Sequence, residues 1–506
     1  MHQRPLRQPC HQFPFRRPDR LHAVRSPHAS ESPADGRSTP VPPKPVVSRT
    51  PESTARPTAS RPAGLAAGLA VGQAAGREPS RPLTPLARPC QTLRPPQDES
   101  IQSNRFDDGS RGPMGRRAAL LAAAGATALL TAAGTMTAPA TAATGADTAA
   151  PAPARAAACG DGSYQAEAVQ SGSTWTARRG GSTVYTGTDM RAAVQAAINS
   201  LTSGRTGKER VVVRGSGSIS AGSRISLPSY TALDVCGTID VTGSGSGDQA
   251  PVYSRGTRDI EVQNLNVTGT PLYGVFLRNV QNVVLGRIDM RLSSGLGVRI
   301  DNRGDTSQWT RNVRIDDVYV SGASSHAVET YGVDGLTVGT VTARNVGESG
   351  LLLNQTVNAT VSRVDAENAG TGTGYAAFRM ANRNGRIGSS YATNIRVGEV
   401  VARGGGRGVF CVSESGGATI DRVTLSNTGN NAILIENCYN VNLAAQSGTV
   451  TGGGEIRLAA RSEFPNNRDI TVQNLTVTNS SIRESPCGEN TTFRNNRLVN
   501  SSQSIC

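Results

Sequence analysis

The chain has 506 residues, of which 37% are hydrophobic, 4% aromatic and 18% charged, with 57 Gly, 28 Pro and a formal net charge of +14. A mean hydropathy of -0.32 excludes a multi-span membrane protein, and the length calls for roughly two to four ordinary domains or one long repeat domain. The charge is unevenly spread: residues 1–113 hold 20 of the Pro and carry 17 Lys and Arg against 9 Asp and Glu.

Residues 1–113 show no sustained period of 2 or 3.6 and too little apolar content to offset ordering entropy. They are expected to be a disordered Pro/Arg-rich tail or an upstream segment read from too early a start codon. At Met114 the sequence restarts as Met-Gly-Arg-Arg, followed by an apolar run from Ala118 to Ala133 and then Ala140-Thr141-Ala142. A basic start, a short apolar run and an A-x-A site predict a secretory signal peptide over 114–142. The mature protein then begins near Ala143, with 33 basic and 29 acidic residues. A linker and N-terminal extension are expected over 143–180, and one repeat domain over 181–506. From Asp189 to Leu201, the residues Ala193, Val194, Ala197, Ile198 and Leu201 share one helical face and predict a capping helix. Ala221 to Asp240 reads as the first coils.

From residue 260 one pattern recurs, apolar at positions 1, 3, 6 and 8. It begins as Ile260-Val262-Leu265-Val267 and Val283-Leu285-Ile288-Met290, with further copies from Val313, Leu336, Ala359, Ile395, Ala418 and Ile470; the copy from Val441 reads as degraded. Five of the eight spacings between copies are 23 residues. Alternation within each half is a strand signal, and the slip between positions 3 and 6 is a corner. The preceding residues are Asp259, Asn282, Asn312, Gly335, Asn358, Asn394, Gly417, Asn440 and Asp469, all types that tolerate left-handed turns. A turn at one place in every coil predicts an all-β fold, a single-stranded right-handed parallel β-helix of about ten coils with the capping helix at its N-terminus. A third strand follows in each coil, at Gly274–Arg278, Gly297–Asp301, Ala327–Tyr331, Gly350–Asn354, Ala376–Met380, Gly408–Val412 and Ala432–Glu436. The tail after Ser481 is expected to cover the far end.

Six cysteines follow the signal peptide, an even count that points to disulfides in a secreted chain. Successive repeats suggest Cys411 with Cys438, while Cys487 with Cys506 and Cys159 with Cys236 would tie down the C- and N-termini, although spacing alone leaves the connectivity open.

A secreted β-helix with an N-terminal capping helix resembles the pectin-lyase-like superfamily, over about residues 180–500. The resemblance implies a polysaccharide-acting protein, either a lyase, a glycoside hydrolase or a fructotransferase. It lies in architecture alone, because the Asn-Thr-Asp, Gly-His-Gly and Arg-Ile-Lys series of polygalacturonases and the Arg-x-Pro-x-x-Arg of pectate lyases are missing.

Alternation along the third strands puts Arg278, Arg299, Asp301, Glu329, Tyr331, Asn354 and Arg379 on one outer face. His326, the one His after residue 28, sits at the entry to the Glu329 strand. Longer connections at about 302–310 and 381–393 wall the stripe, and a walled polar stripe suits a linear polymer. Arg278, Asn354, Trp309 and Tyr375 are the expected substrate contacts. In a lyase, Arg299 or Arg379 neutralises a uronate carboxylate while His326 or Tyr331 serves as base and acid. In a hydrolase, Asp301 and Glu329 form the carboxylate pair, with backbones about 8 Å apart. A third reading is a non-catalytic carbohydrate-binding or adhesive β-helix. A polysaccharide partner is expected, with no nucleic acid and no membrane, acting on a monomeric extracellular protein. No cofactor or metal is required, Ca2+ near Glu329 being the sole candidate. Glu348 and Glu414 border the stripe and read as solvated loop residues.

Overall fold

A computed structural model describes residues 158–371 and 374–506, which belong to one compact unit. The expected tail, the signal peptide and most of the linker lie outside the described residues. The described chain is a parallel β-helix. Three antiparallel strands, Ala166–Ser171, Thr174–Arg179 and Ser182–Gly187, open it. The first of them joins the solenoid by pairing in parallel with Glu209–Arg214, so the stretch before residue 181 is not linker throughout. The capping helix spans Met190–Asn199, with the Asp189 side chain accepting from the Ala192 N–H at its start. That contact satisfies one of the orphan donors of a helix N-terminus. Its buried face is Met190, Ala193, Val194, Ala197 and Ile198.

Four of the 1-3-6-8 copies form single bent strands of twelve residues, Arg258–Gly269, Gln281–Leu292, Thr310–Ser321 and Val333–Arg344, whereas the copy from Ile470 is split into Arg468–Gln473 and Leu475–Thr478. Stacking is in register, Ile260 on Val283 and Leu265 on Ile288, and all four apolar positions are buried in one continuous core. Eight of the nine turn residues take positive φ, between 50° and 81°, where Asn and Gly carry little penalty. Asn394 is the exception. Its amide instead donates to the carbonyls of Gly385 and Ala392, both at 2.7 Å, and so closes the 381–393 insertion.

The copy from Val441 is not degraded. Gly448 stacks on Leu475 and Val450 on Val477, so this copy carries two extra residues in its corner and then resumes. Ala444, with φ 52°, lies in the enlarged corner. The tail after Ser481 does not cover the end either. Ser481–Glu484 completes the coil that begins at Arg468, and Thr492–Arg494, Arg497–Val499 and Ser502–Ser504 stack on it in parallel as one more coil, closed by the Cys487–Cys506 disulfide. Cys411–Cys438 lies in the core and Cys159–Cys236 ties the N-terminal segment to an early coil. Among the described residues no helix is long and apolar enough to cross a membrane.

Candidate functional site

The third ribbon runs through Val252–Arg255, Tyr273–Arg278, Leu296–Asp301, Val328–Tyr331, Leu351–Asn354 and Phe378–Ala381 into Arg407–Ala459. Strand pairing builds two outward columns: Phe276, Arg299, Glu329, Leu352, Arg379 and Phe410 in one, and Arg278, Asp301, Tyr331, Asn354 and Ala381 in the other. In the Phe378 strand the inward pair is Phe378 and Met380, two residues later than the alternation of Ala376–Met380 implies, because Leu351 stacks on Phe378. Arg379 stays outward.

The first coils of this face form a closed circuit. Asp301, fully buried, accepts from Arg278 Nε at 2.5 Å and Nη2 at 2.8 Å, and from Arg299 Nε at 2.8 Å. Arg299 Nη1 also donates to Glu329 at 2.7 Å, and Arg278 reaches Asp248 at 2.8 Å. The other Glu329 oxygen accepts from Asn354 at 3.2 Å, whose own carbonyl accepts from Asn382 at 2.9 Å. Burial penalises the Asp301 carboxylate, but the two guanidiniums outweigh it and hold its pKa below the ordinary value. Asp301 and Glu329 are thus both bound to arginine in this structure. Arg278 and Asn354 take part in the same circuit.

A second chain of contacts runs along the leading edge of the ribbon. Ser349 N–H donates to His326 Nδ1 at 2.9 Å, so the ring proton lies on Nε2, which faces Glu348 Oε2 at 3.0 Å. Both His326 ring nitrogens are thus engaged within the chain. Glu348 is not a solvated loop residue. It accepts from Ser325 Oγ at 2.5 Å and from His326 and Tyr375, and these contacts overcome burial to bring its pKa down to about 2. The signal for it in the sequence is coil arithmetic: Glu348 lies 23 residues after Ser325, one coil on. The Tyr375 ring stands edge-on to His326, centroids 5.7 Å apart. Tyr331, at the trailing edge, is half-buried, and burial together with Glu329 raises its phenol pKa. Its ring fills the space over Gly304 (φ 73°), where an added Cβ would lie 3.2 Å from it. Trp309 follows a short turn, Thr306–Gln308, and is half-buried in that loop.

Arg379 differs from the arginines of the circuit. It is 9% exposed, and no carboxylate lies within ion-pair distance of it among the described residues. Its buried Nε has no hydrogen-bond partner. The guanidinium lies 5.5 Å from the Tyr375 ring centre and 5.2 Å from that of Phe410. Burial, the largest cause, lowers its pKa to about 10. Around it Leu352, Ala376, Ala381, Phe410, Val412 and Leu434 form an apolar cluster on the outside of the solenoid. At the far end, Glu436 pairs with Arg461 at 2.7 Å, and burial pushes its carboxyl above the ordinary value.

No family model matches the chain. A search of curated proteins likewise finds no match. Among solved structures, the A-module of the Azotobacter vinelandii mannuronan C-5 epimerase AlgE4 is similar at 13% identity and a TM-score of 0.35, over 63% of this chain and 94% of that one. The AlgE6 A-module from the same organism gives 13% identity and a TM-score of 0.29, over 62% and 94%.

Proposed function

We propose that the protein is a secreted carbohydrate-active enzyme on a uronate-containing polysaccharide, whose first chemical step removes the proton α to a uronate carboxylate. The observation that carries this reading is Arg379, a buried cation without a carboxylate of its own beside a hydrogen-bonded chain of ionisable groups. A buried unpaired charge is costly, and a ligand carboxylate removes that cost. As the α proton leaves, negative charge spreads onto the carboxylate oxygens, and a fixed guanidinium in an apolar surround stabilises it. We assign the acceptor role to Tyr375, which lies against Arg379 and passes its own phenolic proton to the Glu348 carboxylate as its oxygen takes the C5 proton, with His326 holding Glu348 in place. Tyr331, which keeps its proton, is assigned the acid role. In an elimination the C5–H electron pair becomes the C4–C5 double bond, the C4–O4 bond breaks, and O4 leaves with the proton from Tyr331.

The test is incubation of the secreted protein with polygalacturonate, alginate and a glucuronan in D2O. The reading expects deuterium at C5 and, for elimination, an ultraviolet-absorbing unsaturated end, both lost in Arg379→Gln. New reducing ends without absorbance or deuterium would make it a hydrolase. Retention of polymer with no chemical change would make it a binding protein.

A further inference from the structure

The apolar cluster carries a second arginine that resembles Arg379 and not the circuit. Arg407 lies one coil further on, where its carbonyl accepts from the Ala377 N–H. Its guanidinium is 4.8 Å from the Phe410 ring centre, the same ring that Arg379 touches at 5.2 Å. The two cations are thus at most about 10 Å apart. Nε of Arg407 donates to Asn431 Oδ1 at 3.1 Å, which fixes the direction of the fork, while the buried Nη1 has no partner. Burial lowers its pKa, and Glu436, the nearby acid, is taken by Arg461. On the same face Arg278, Arg299 and Arg461 each have a carboxylate within 3 Å. Arg379 is buried and Arg407 half-buried, and the two neighbouring cations repel each other with aromatic rings, not a paired carboxylate, against them.

We infer that Arg407 holds the acidic group of a second sugar, next to the one seated on Arg379, so that the site takes two consecutive uronates of a polymer laid along the solenoid axis. The inference rests on the reading of Arg379 given above. The two arginines then read the charges of the two sugars. An isolated acidic sugar, or a polymer with its acids far apart, fills only half of the site.

The test uses galacturonate and its trimer, with the methyl-esterified trimer as an uncharged probe, titrated calorimetrically against the whole secreted protein. Arg407→Gln is expected to weaken the trimer at least fivefold and leave the monomer unchanged. Arg379→Gln is expected to weaken both, and Arg396→Gln, an exposed arginine on another ribbon, neither. Arg407→Lys keeps the charge without the planar fork and recovers part of the trimer affinity; it also checks that the Gln variant is folded. The esterified trimer binds to none of the variants. Wild-type affinity for the trimer in Arg407→Gln overturns the inference. If that variant binds normally while Arg379→Gln alone loses C5 exchange, the second subsite is wrong and the proposed chemistry stands. If Arg407→Gln loses the trimer but no uronate polymer is turned over, the subsite stands and the chemistry is wrong.

Discussion

The outer face of the third ribbon is two regions that share one backbone and differ in how their arginines are balanced. Along the earlier coils, Arg278 and Arg299 are locked to Asp248, Asp301 and Glu329 in a continuous ladder. Along the later coils, Arg379 and Arg407 press on Phe410, with no carboxylate within ion-pair distance among the described residues. The first arrangement is complete without a ligand and stiffens the wall. The second, on the proposed reading, is completed by an anionic ligand. Counting charged residues on a face does not separate the two cases, and only the pairing does.

The largest expected effect lies in the ladder. Asp301→Ala leaves two cations facing each other where a fully buried carboxylate stood, and is expected to cost about 3 kcal/mol in chemical unfolding. A loss below about 1 kcal/mol would mean that the ladder contributes little. In the edge chain, Tyr375→Phe and Glu348→Gln are expected to lower kcat by about a hundredfold, the scale of a lost acid–base group, with KM little changed. A rise in KM alone would make Tyr375 a binding group.

The edge chain also gives an acid-dependent term. Glu348 has its pKa depressed from 4.5 to about 2, so its contribution is complete above about pH 4.5 and is lost as pH falls through about 2. Wild type is therefore expected to exceed Glu348→Gln by up to about 2 kcal/mol at neutral pH, with the gap closing on acidification. A gap that widens toward pH 2 would contradict the assignment. The smallest effect belongs to the turn ladder. Asn312, at φ 56°, donates to Asn282 at 3.0 Å. Asn312→Ala should cost about 1 kcal/mol and Asn312→Gly less, and equal losses would remove the conformational explanation.

Much of the fold was legible because a solenoid repeats its constraints. The 1-3-6-8 spacing named the buried residues, and the Asn, Asp and Gly before each copy named the turns. The cysteines meet as their places in the chain suggested. What escaped notice were local departures from the period. Two extra residues near Ala444 hid an intact copy, and Asn394 exchanged a left-handed turn for side-chain bonds. The capping role given to the tail after Ser481 failed because a partial coil keeps pairing as a strand until the chain ends. The site was harder to read. Outward alternation gathered the right face, yet it could not tell a paired arginine from a bare one. Glu348 read as solvent-exposed because its partners lie a coil away, and Arg407 went unnoticed because the strand begins one residue earlier than the Gly408 start expected from the repeat.

The difference between the two regions is tested most directly by the unfolding free energy of Arg379→Gln, measured with and without a galacturonate trimer. Without the trimer the variant should be as stable as wild type or slightly more so, since it removes a buried charge with no carboxylate partner. With the trimer, wild type alone should gain stability. A loss of about 3 kcal/mol in the ligand-free variant, matching that expected for Asp301→Ala, would show that Arg379 is as firmly balanced as the ladder and would contradict the account.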